Sequence, residues 1–378
     1  MQETNLGTNK SLRVAIVTNM PAPYRIPIFQ QLTQYYGNEN IKVIFCTVKE
    51  GNRDWVLDLK GFNYEYLKNK TLTWKKRAIH FNFDVFSPLR KFNPDVIITT
   101  GFNPTFIFAF GYAMFYKKIH IPMTDGTLES EKTLDVIHRI VRRVIYAHSN
   151  AFIGASLGSF CLYDSYGINR ASVFKSHLCA NNSEFHPLDT GKQTFDLMFS
   201  GRFSPEKNPL FAIEVAVGVA KLLKRKVSLI MLGAGPLLEE AKLYATTKED
   251  FVEVIFLGFL QQDVLPQVYC SAKVFLFPSS WDPWGVVANE ACAAGQAVLI
   301  SPHAGAANDL IIHGENGYVL DLNLASWVAH ASELLSNEEL RFQLAMNGLS
   351  KVQAYNYESA ANGIIDAVSS VYPLLEQS

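Results

Sequence analysis

The sequence predicts an α/β protein built from two Rossmann-like domains, each a parallel sheet covered by helices. Three observations carry this. Short apolar runs alternate with segments of helical spacing along the whole chain, the pattern of repeated βαβ units. A polar, turn-rich stretch at residues 181–193, with Pro187, Asp189 and Gly191, interrupts that series, which then begins again. The chain has 378 residues, enough for two domains of ordinary size with full cores. The expected division is 1–187 and 188–354, and two such domains in tandem imply a cleft between them.

Residues 12–18 (LRVAIVT) read as a buried first strand, followed by a proline-rich turn at 19–23 and a helix over 24–36. Strands are expected at 41–47, 62–67, 95–100, 119–123 and 151–154. Helical spacing covers 104–116, 133–148 and a segment ending at Gly167. The basic stretch 68–77 (KNKTLTWKKR) reads as a loop. Beyond the break, strands at 195–200, 227–232, 254–257, 274–277, 297–300 and 318–320 alternate with helices at 209–223, 236–246, 264–271 and 286–294. A last helix covers 358–372, with Ile364, Ile365, Val368 and Val371 as its apolar positions.

Composition excludes several classes. A hydrophobic content of 48% with 18% charged residues is that of a globular protein. The longest uncharged apolar stretch, 101–116, falls short of the roughly 20 residues a spanning helix needs. The first eleven residues are polar and show no secretory signal, so a cytoplasmic location is expected. Cys46, Cys161, Cys179, Cys270 and Cys292 form no CxxC and no pairing with histidine, which argues against a zinc site and a disulfide framework. Residues 18–23 contain no glycine, so the dinucleotide fingerprint is missing after the first strand, against a nicotinamide or flavin enzyme. The net charge of −1 conceals an asymmetry: residues 1–190 hold 22 Lys and Arg against 15 Asp and Glu, and the remainder 12 against 20. A basic first half suits an anionic surface or substrate, and two oppositely charged halves also simply attract. Lys75, Lys76 and Arg77 beside Trp74 suit peripheral contact with a membrane, or plain solvation. No nucleic-acid partner is expected.

Three constellations suit chemistry. The first is SGRFSPEKNP at 200–209, in which Gly201 ends a strand and Arg202 and Lys207 flank a turn opening a helix. A guanidinium fork, a point charge and free helix N–H groups together suit phosphate oxygens. An ordinary loop with two solvated cations has the same composition. The second is Gly233-Ala234-Gly235-Pro236, where a backbone without Cβ atoms allows close approach of a ligand, or merely a tight turn. The third runs from Asp282 to Glu290. Trp284, Gly285, Val286 and Val287 would present N–H groups at a helix start, and Glu290 would accept hydrogen bonds from vicinal hydroxyls. The alternative makes Asp282 a helix cap and Glu290 an exposed helix carboxylate.

These motifs, with FLGF at 256–259 and PSSWDPWGVVANEACAAGQAVLIS at 278–301, occur in one order over residues 195–320. In that order they resemble the donor domain of the retaining glycosyltransferases of family 4, which have the GT-B fold. The resemblance implies that Arg202 and Lys207 bind the diphosphate of a nucleotide sugar and that Glu290 holds the ribose. It implies that Asp282 contacts the sugar, and here the chain departs from the family, which carries a glutamate there, separated from the second one by seven residues. Gly285 matches a family glycine, and Trp284 stands where phenylalanine is more common. Residues 256–260, Phe259 and Leu260 among them, match the strand end whose backbone borders the base. The segment 355–378 resembles the one that crosses back onto the first domain.

In the first domain, PAPYR at 21–25 is similar to a turn of some relatives, placing Tyr24 and Arg25 on the acceptor side; a solvated first-turn arginine is the alternative for Arg25. Asp125 stands where many relatives have a histidine near the reacting sugar, and an Asp-Gly turn explains it equally. The expected activity is transfer of a sugar, with retention, from a nucleotide-diphosphate sugar to a glycan or lipid-linked glycan. No cofactor and no metal are implied; Arg202, Lys207, Asp282 and Asp125 are the catalytic candidates. A nucleotide-sugar epimerase on the same fold and a non-catalytic nucleotide-sugar binder are the alternatives.

Overall fold

A computed structural model of the protein describes residues 12–49, 55, 57–68, 71–74, 77–132, 134–187 and 193–375. The chain divides into two compact units, Met1–Leu178 with Tyr357–Ser378, and Cys179–Asn356. The first division thus precedes the expected 187/188. The reason lies in where residues 179–187 pack. The Asn182 side-chain amide donates to the carbonyls of Val352 (2.8 Å) and Tyr355 (3.2 Å). Phe185 meets Tyr269 edge-on at 6.1 Å, which ties the segment to the second unit. The expected linker residues 188–192, and Lys75 and Lys76, lie outside the described residues.

The strands of the first unit are β1 (Val14–Thr18), β2 (Ile41–Phe45), β3 (Tyr64–Tyr66), β4 (Thr71–Trp74), β5 (Arg77–His80), β6 (Val96–Thr99), β7 (Ile119–Thr124), β8 (Phe152–Gly154) and β9 (Val173–Lys175). Seven of them form one sheet in the order β3-β2-β1-β6-β7-β8-β9. Every pairing in it is parallel. Its central strands are buried on both faces, which is why they read as unbroken apolar runs rather than alternating ones. Strands β4 and β5 pair antiparallel, with Thr71 opposite His80, where the sequence reading expects a loop. Thr71, Thr73 and Trp74 are strand-favouring types, and that preference prevails over the local density of cations. The helix Phe86–Phe92 and strand β9 are too short to show a period in the sequence. The helix Tyr357–Ser370 belongs to the first unit, against the helix Ile26–Tyr36 and β9. Gly363 permits this, because a Cβ there would come within 1.8 Å of the Lys175 carbonyl.

The second unit has β10 (Phe195–Ser200), β11 (Val227–Leu232), β12 (Val252–Gly258), β13 (Ala272–Phe277), β14 (Ala297–Ile300) and β15 (Gly317–Val319). They form a sheet in the order β12-β11-β10-β13-β14-β15, again parallel throughout. Leu197, Phe199, Leu229, Val274, Leu276 and Trp327 lie in its core, each at most 1% exposed. In each sheet the order reverses direction once, between β1 and β6 and between β10 and β13. Loops leaving the strand C-termini diverge there and open a crevice, the usual ligand site of such sheets. Among the described residues, no helix is long and apolar enough to cross a membrane.

Candidate functional site

In the second unit the expected site residues gather at the β10/β13 switch point. The loop after β10 carries Gly201, Arg202 and Lys207, and the loop after β13 carries Asp282, Trp284 and Gly285. Main-chain bonds lock the two together. The backbone N–H of Ser280 donates to the Glu206 carbonyl at 2.8 Å, and the Asn208 side chain donates to the Pro278 carbonyl at 2.9 Å. The Lys207 ammonium lies 2.6 Å from Asp282 Oδ2 and also donates to the Trp281 carbonyl at 3.2 Å. Both side chains are largely shielded, 18% and 14% exposed, so solvent screens this pair little. Asp282 Oδ1 accepts the Trp284 N–H at 3.1 Å. Asp282 therefore does not cap the following helix. It organises its own loop and holds a lysine contributed from 75 residues earlier in the chain.

Arg202 is exposed, with no side-chain hydrogen bond or ion pair among the described residues. Its charge still reaches Glu206. Burial pushes that carboxyl up, but the Ser204 hydroxyl, the residue's own N–H and the cations Lys207 and Arg202 outweigh burial and hold it below its ordinary value.

The helix Val286–Ala293 begins at Gly285, which adopts φ 88°. A Cβ there would overlap the Phe277 ring at 2.2 Å, so glycine is required both by conformation and by space. The N–H groups of Gly285, Val286 and Val287 make no hydrogen bond among the described residues, whereas that of Trp284 is taken by Asp282. The helix thus offers three free donors and the positive end of its dipole. The Trp284 side chain is fully buried. Its indole N–H donates to Asn289 Oδ1 at 2.8 Å and its ring stacks on Tyr355 at 5.7 Å, so it anchors the loop from inside.

Glu290 is only 7% exposed, which excludes the reading of it as an exposed helix carboxylate. Burial raises its carboxyl above the ordinary value, with the Tyr269 phenol working in the opposite direction. The Tyr269 phenol is itself pushed far up, first by burial and then by the charge of Glu290. Two acceptor oxygens in a desolvated place gain from a ligand that brings hydroxyl donors.

The loop after β14 completes the frame. Gly305 N–H donates to the Asp282 carbonyl (3.0 Å), Ala306 N–H to the Trp284 carbonyl (3.0 Å), and the Asp282 N–H to the His303 carbonyl (3.2 Å). Sequence reasoning assigned no role to this loop. The signal was Gly305, where a Cβ would sit 1.9 Å from the Pro283 carbonyl, a closeness that no local pattern displays. Gly233 and Gly235 are explained by packing: a Cβ on Gly233 would lie 1.9 Å from the Gly201 carbonyl oxygen and one on Gly235 2.5 Å from that of Phe203. These glycines join the loops after β10 and β11. Gly233→Ala, with φ 120° as well, is expected to cost at least about 2 kcal/mol in urea unfolding. Gly258→Ala meets nothing within 4 Å and should cost about 1 kcal/mol for its φ of 68° alone. Equal losses would refute this account. Phe259 is 48% exposed just beyond the end of β12, with Leu260 half-buried beside it.

In the first unit, Tyr24, Arg25 and Asp125 line one cavity of about 140 Å³ at the β1/β6 switch point, with Thr18, Asn19 and Thr100. Arg25 is half-buried at the N-cap position of the helix Ile26–Tyr36, so it is not a freely solvated arginine. Tyr24 meets Trp55 edge-on at 6.5 Å. Asp125 is exposed in the middle of a turn closed by the Gly126 N–H, which donates to Thr124 Oγ1 at 3.0 Å.

Residues 181–351 match the family model described as glycosyl transferases group 1. An uncharacterized glycosyltransferase of Methanocaldococcus jannaschii is 29% identical over 173 residues, 45% of this chain and 43% of that protein. A GDP-mannose-dependent alpha-mannosyltransferase of Corynebacterium glutamicum is 24% identical over 324 residues, 78% of this chain and 71% of that one. The chain thus spans under half the length of the first relative. The crystal structure of HepE from Anabaena in complex with UDP superposes with a TM-score of 0.76 at 15% identity, covering 95% of this chain and all of that one. That likeness is one of fold: the two units have the GT-B architecture that the sequence resemblance implied.

Proposed function

We propose that this protein is a retaining glycosyltransferase of family 4. It moves a sugar from a nucleotide-diphosphate sugar to a glycan or lipid-linked glycan, in the synthesis of a cell-surface polysaccharide or glycoconjugate. The observation that carries the reading is the set at the β10/β13 switch point: a buried carboxylate, Glu290, on a helix at whose start the N–H groups of Gly285, Val286 and Val287 are open, beside a lysine held by Asp282. The match of residues 181–351 to a glycosyltransferase family model supports it.

In this reading the open N–H groups of Gly285, Val286 and Val287, with Arg202 and Lys207, receive the diphosphate. Glu290 accepts hydrogen bonds from the ribose hydroxyls, and Phe259 and Leu260 border the base. Asp282 spends one lone pair on Lys207 and one on Trp284 N–H, which leaves acceptor capacity for a sugar hydroxyl. As the bond from the anomeric carbon to the phosphate oxygen breaks, its electron pair goes to the diphosphate. The two cations and the helix N–H groups meet that charge without a metal ion. The acceptor hydroxyl attacks the same face and gives its proton to the leaving phosphate. Tyr24, Arg25 and Asp125 in the cavity of the first unit serve the acceptor.

A thermal-shift series with UDP, GDP and their sugars tests the donor assignment. A ligand at 100 times its Kd adds about 2.7 kcal/mol to the folded state, so one nucleoside diphosphate should raise the melting temperature clearly. Transfer with that donor should then yield a product of unchanged anomeric configuration. No stabilisation by any nucleoside diphosphate at millimolar concentration would remove the donor site, and an inverted product would remove the retaining mechanism.

A further inference from the structure

The helix Val136–Ala147 of the first unit has apolar residues on two opposite faces. Ile145 and Tyr146 are buried on the inner face, where the Arg142 guanidinium lies over Phe102 at 4.5 Å and is bonded to Glu131. On the outer face, Val136 is 70% exposed, Ile137 71%, Ile140 52% and Val144 47%. The spacing of 136, 140 and 144, with 137 between, sets these side chains in one stripe along the helix. Arg139 and Arg143 stand exposed along one edge of that stripe, and residues 136–147 include no acid. Beside this edge lies a hollow of about 270 Å³, lined by both arginines together with Lys132, Tyr166 and Glu131, whose carboxylate is bonded to Arg142 and to the Tyr166 hydroxyl.

We propose that this outer face seats the first unit on an anionic bilayer. The four apolar residues enter the boundary between headgroups and acyl chains, and Arg139 and Arg143 meet lipid phosphates at the edge of the hollow. Two features choose the occupant. A large exposed apolar stripe with a basic edge on a surface helix is the pattern of interfacial attachment. A second copy of the same face would set arginines against arginines, and the nearest acids, Asp135 at the N-cap and Glu131, are already bonded, to His138 and to Arg142 and Tyr166. The excess of cations in residues 1–190, 22 against 15 acids, has the same sign.

The test is co-sedimentation of the full chain with phosphatidylglycerol–phosphatidylcholine vesicles, beside pure phosphatidylcholine. Wild type should sediment with the anionic vesicles and lose most binding in 0.5 M salt, a concentration of roughly that order screening exposed charges strongly. Ile137→Ser with Ile140→Ser should weaken binding at least tenfold. Arg139→Gln and Arg143→Gln should each cost about fivefold, the contribution of one cation near such a surface. All these positions are exposed, so the melting temperature and the response to nucleoside diphosphates should be unchanged, which separates this surface from the donor site. Failure of the wild type to sediment, or full binding by the double isoleucine variant, would overturn the proposal. So would a dimer that this variant dissociates without any vesicle binding.

Discussion

Lys207→Ala is expected to lower kcat by about 100- to 1,000-fold, the usual cost of removing one group that stabilises developing charge. The same change strips Asp282 of its cation. With only 14% of its side chain exposed, that carboxylate should cost the variant about 1–3 kcal/mol in unfolding free energy. The double variant Lys207→Ala, Asp282→Asn separates the two effects. It removes the unpaired charge, keeps an oxygen for the Trp284 N–H, and should recover most of the stability while remaining slow. Steady-state kinetics with the donor found by thermal shift, set beside urea unfolding of both variants, measures this. A folded Lys207→Ala protein with wild-type kcat would refute the role of Lys207, and a double variant no more stable than the single one would refute the pairing.

Glu290→Gln should move binding and stability in opposite directions. Its carboxyl titrates higher in the folded chain than its ordinary 4.5, because burial disfavours the charged form. A group with a raised folded value contributes stability that is fully present below the unfolded value and is lost as pH rises through the folded value. Glutamine suffers no such loss. At pH 7.5 the ligand-free variant should therefore melt above the wild type. The gap should close as pH falls to 4.5 and below. Donor affinity should fall at least tenfold, since an amide offers one acceptor oxygen where the carboxylate offers two. Calorimetry across pH, with donor titrations at pH 7.5, reads both. A variant that melts lower at every pH, or binds donor as wild type does, would contradict the assignment.

Much of the site was legible because it lies where strand ends meet helix starts, and those junctions are written locally. The run Val274–Phe277 closed by Pro278, and Ser200-Gly201 before the helix beginning at Pro209, locate both loops within a few residues. The choice between cap and ligand at Asp282, and between surface and interior at Glu290, was not local. It depends on β10 lying next to β13, which brings Lys207 to Asp282, and on Tyr269 and Trp284 lying in the interior around the helix. The hairpin of β4 and β5 was missed for the opposite reason. A dense local signal, its cations, suggested a loop although the strand preference of its other residues prevailed.

By itself, then, the sequence determined the α/β class, the restart of the βαβ series and the order of the motifs. Each of these follows from apolar periodicity and turn chemistry over a few residues. Only the tertiary structure decided that Asp282 is a partner of Lys207, that Glu290 is buried, and that Gly233, Gly285 and Gly305 serve close packing. Burial and close approach are made by residues distant in the chain, and a sequence pattern does not state which of them will meet.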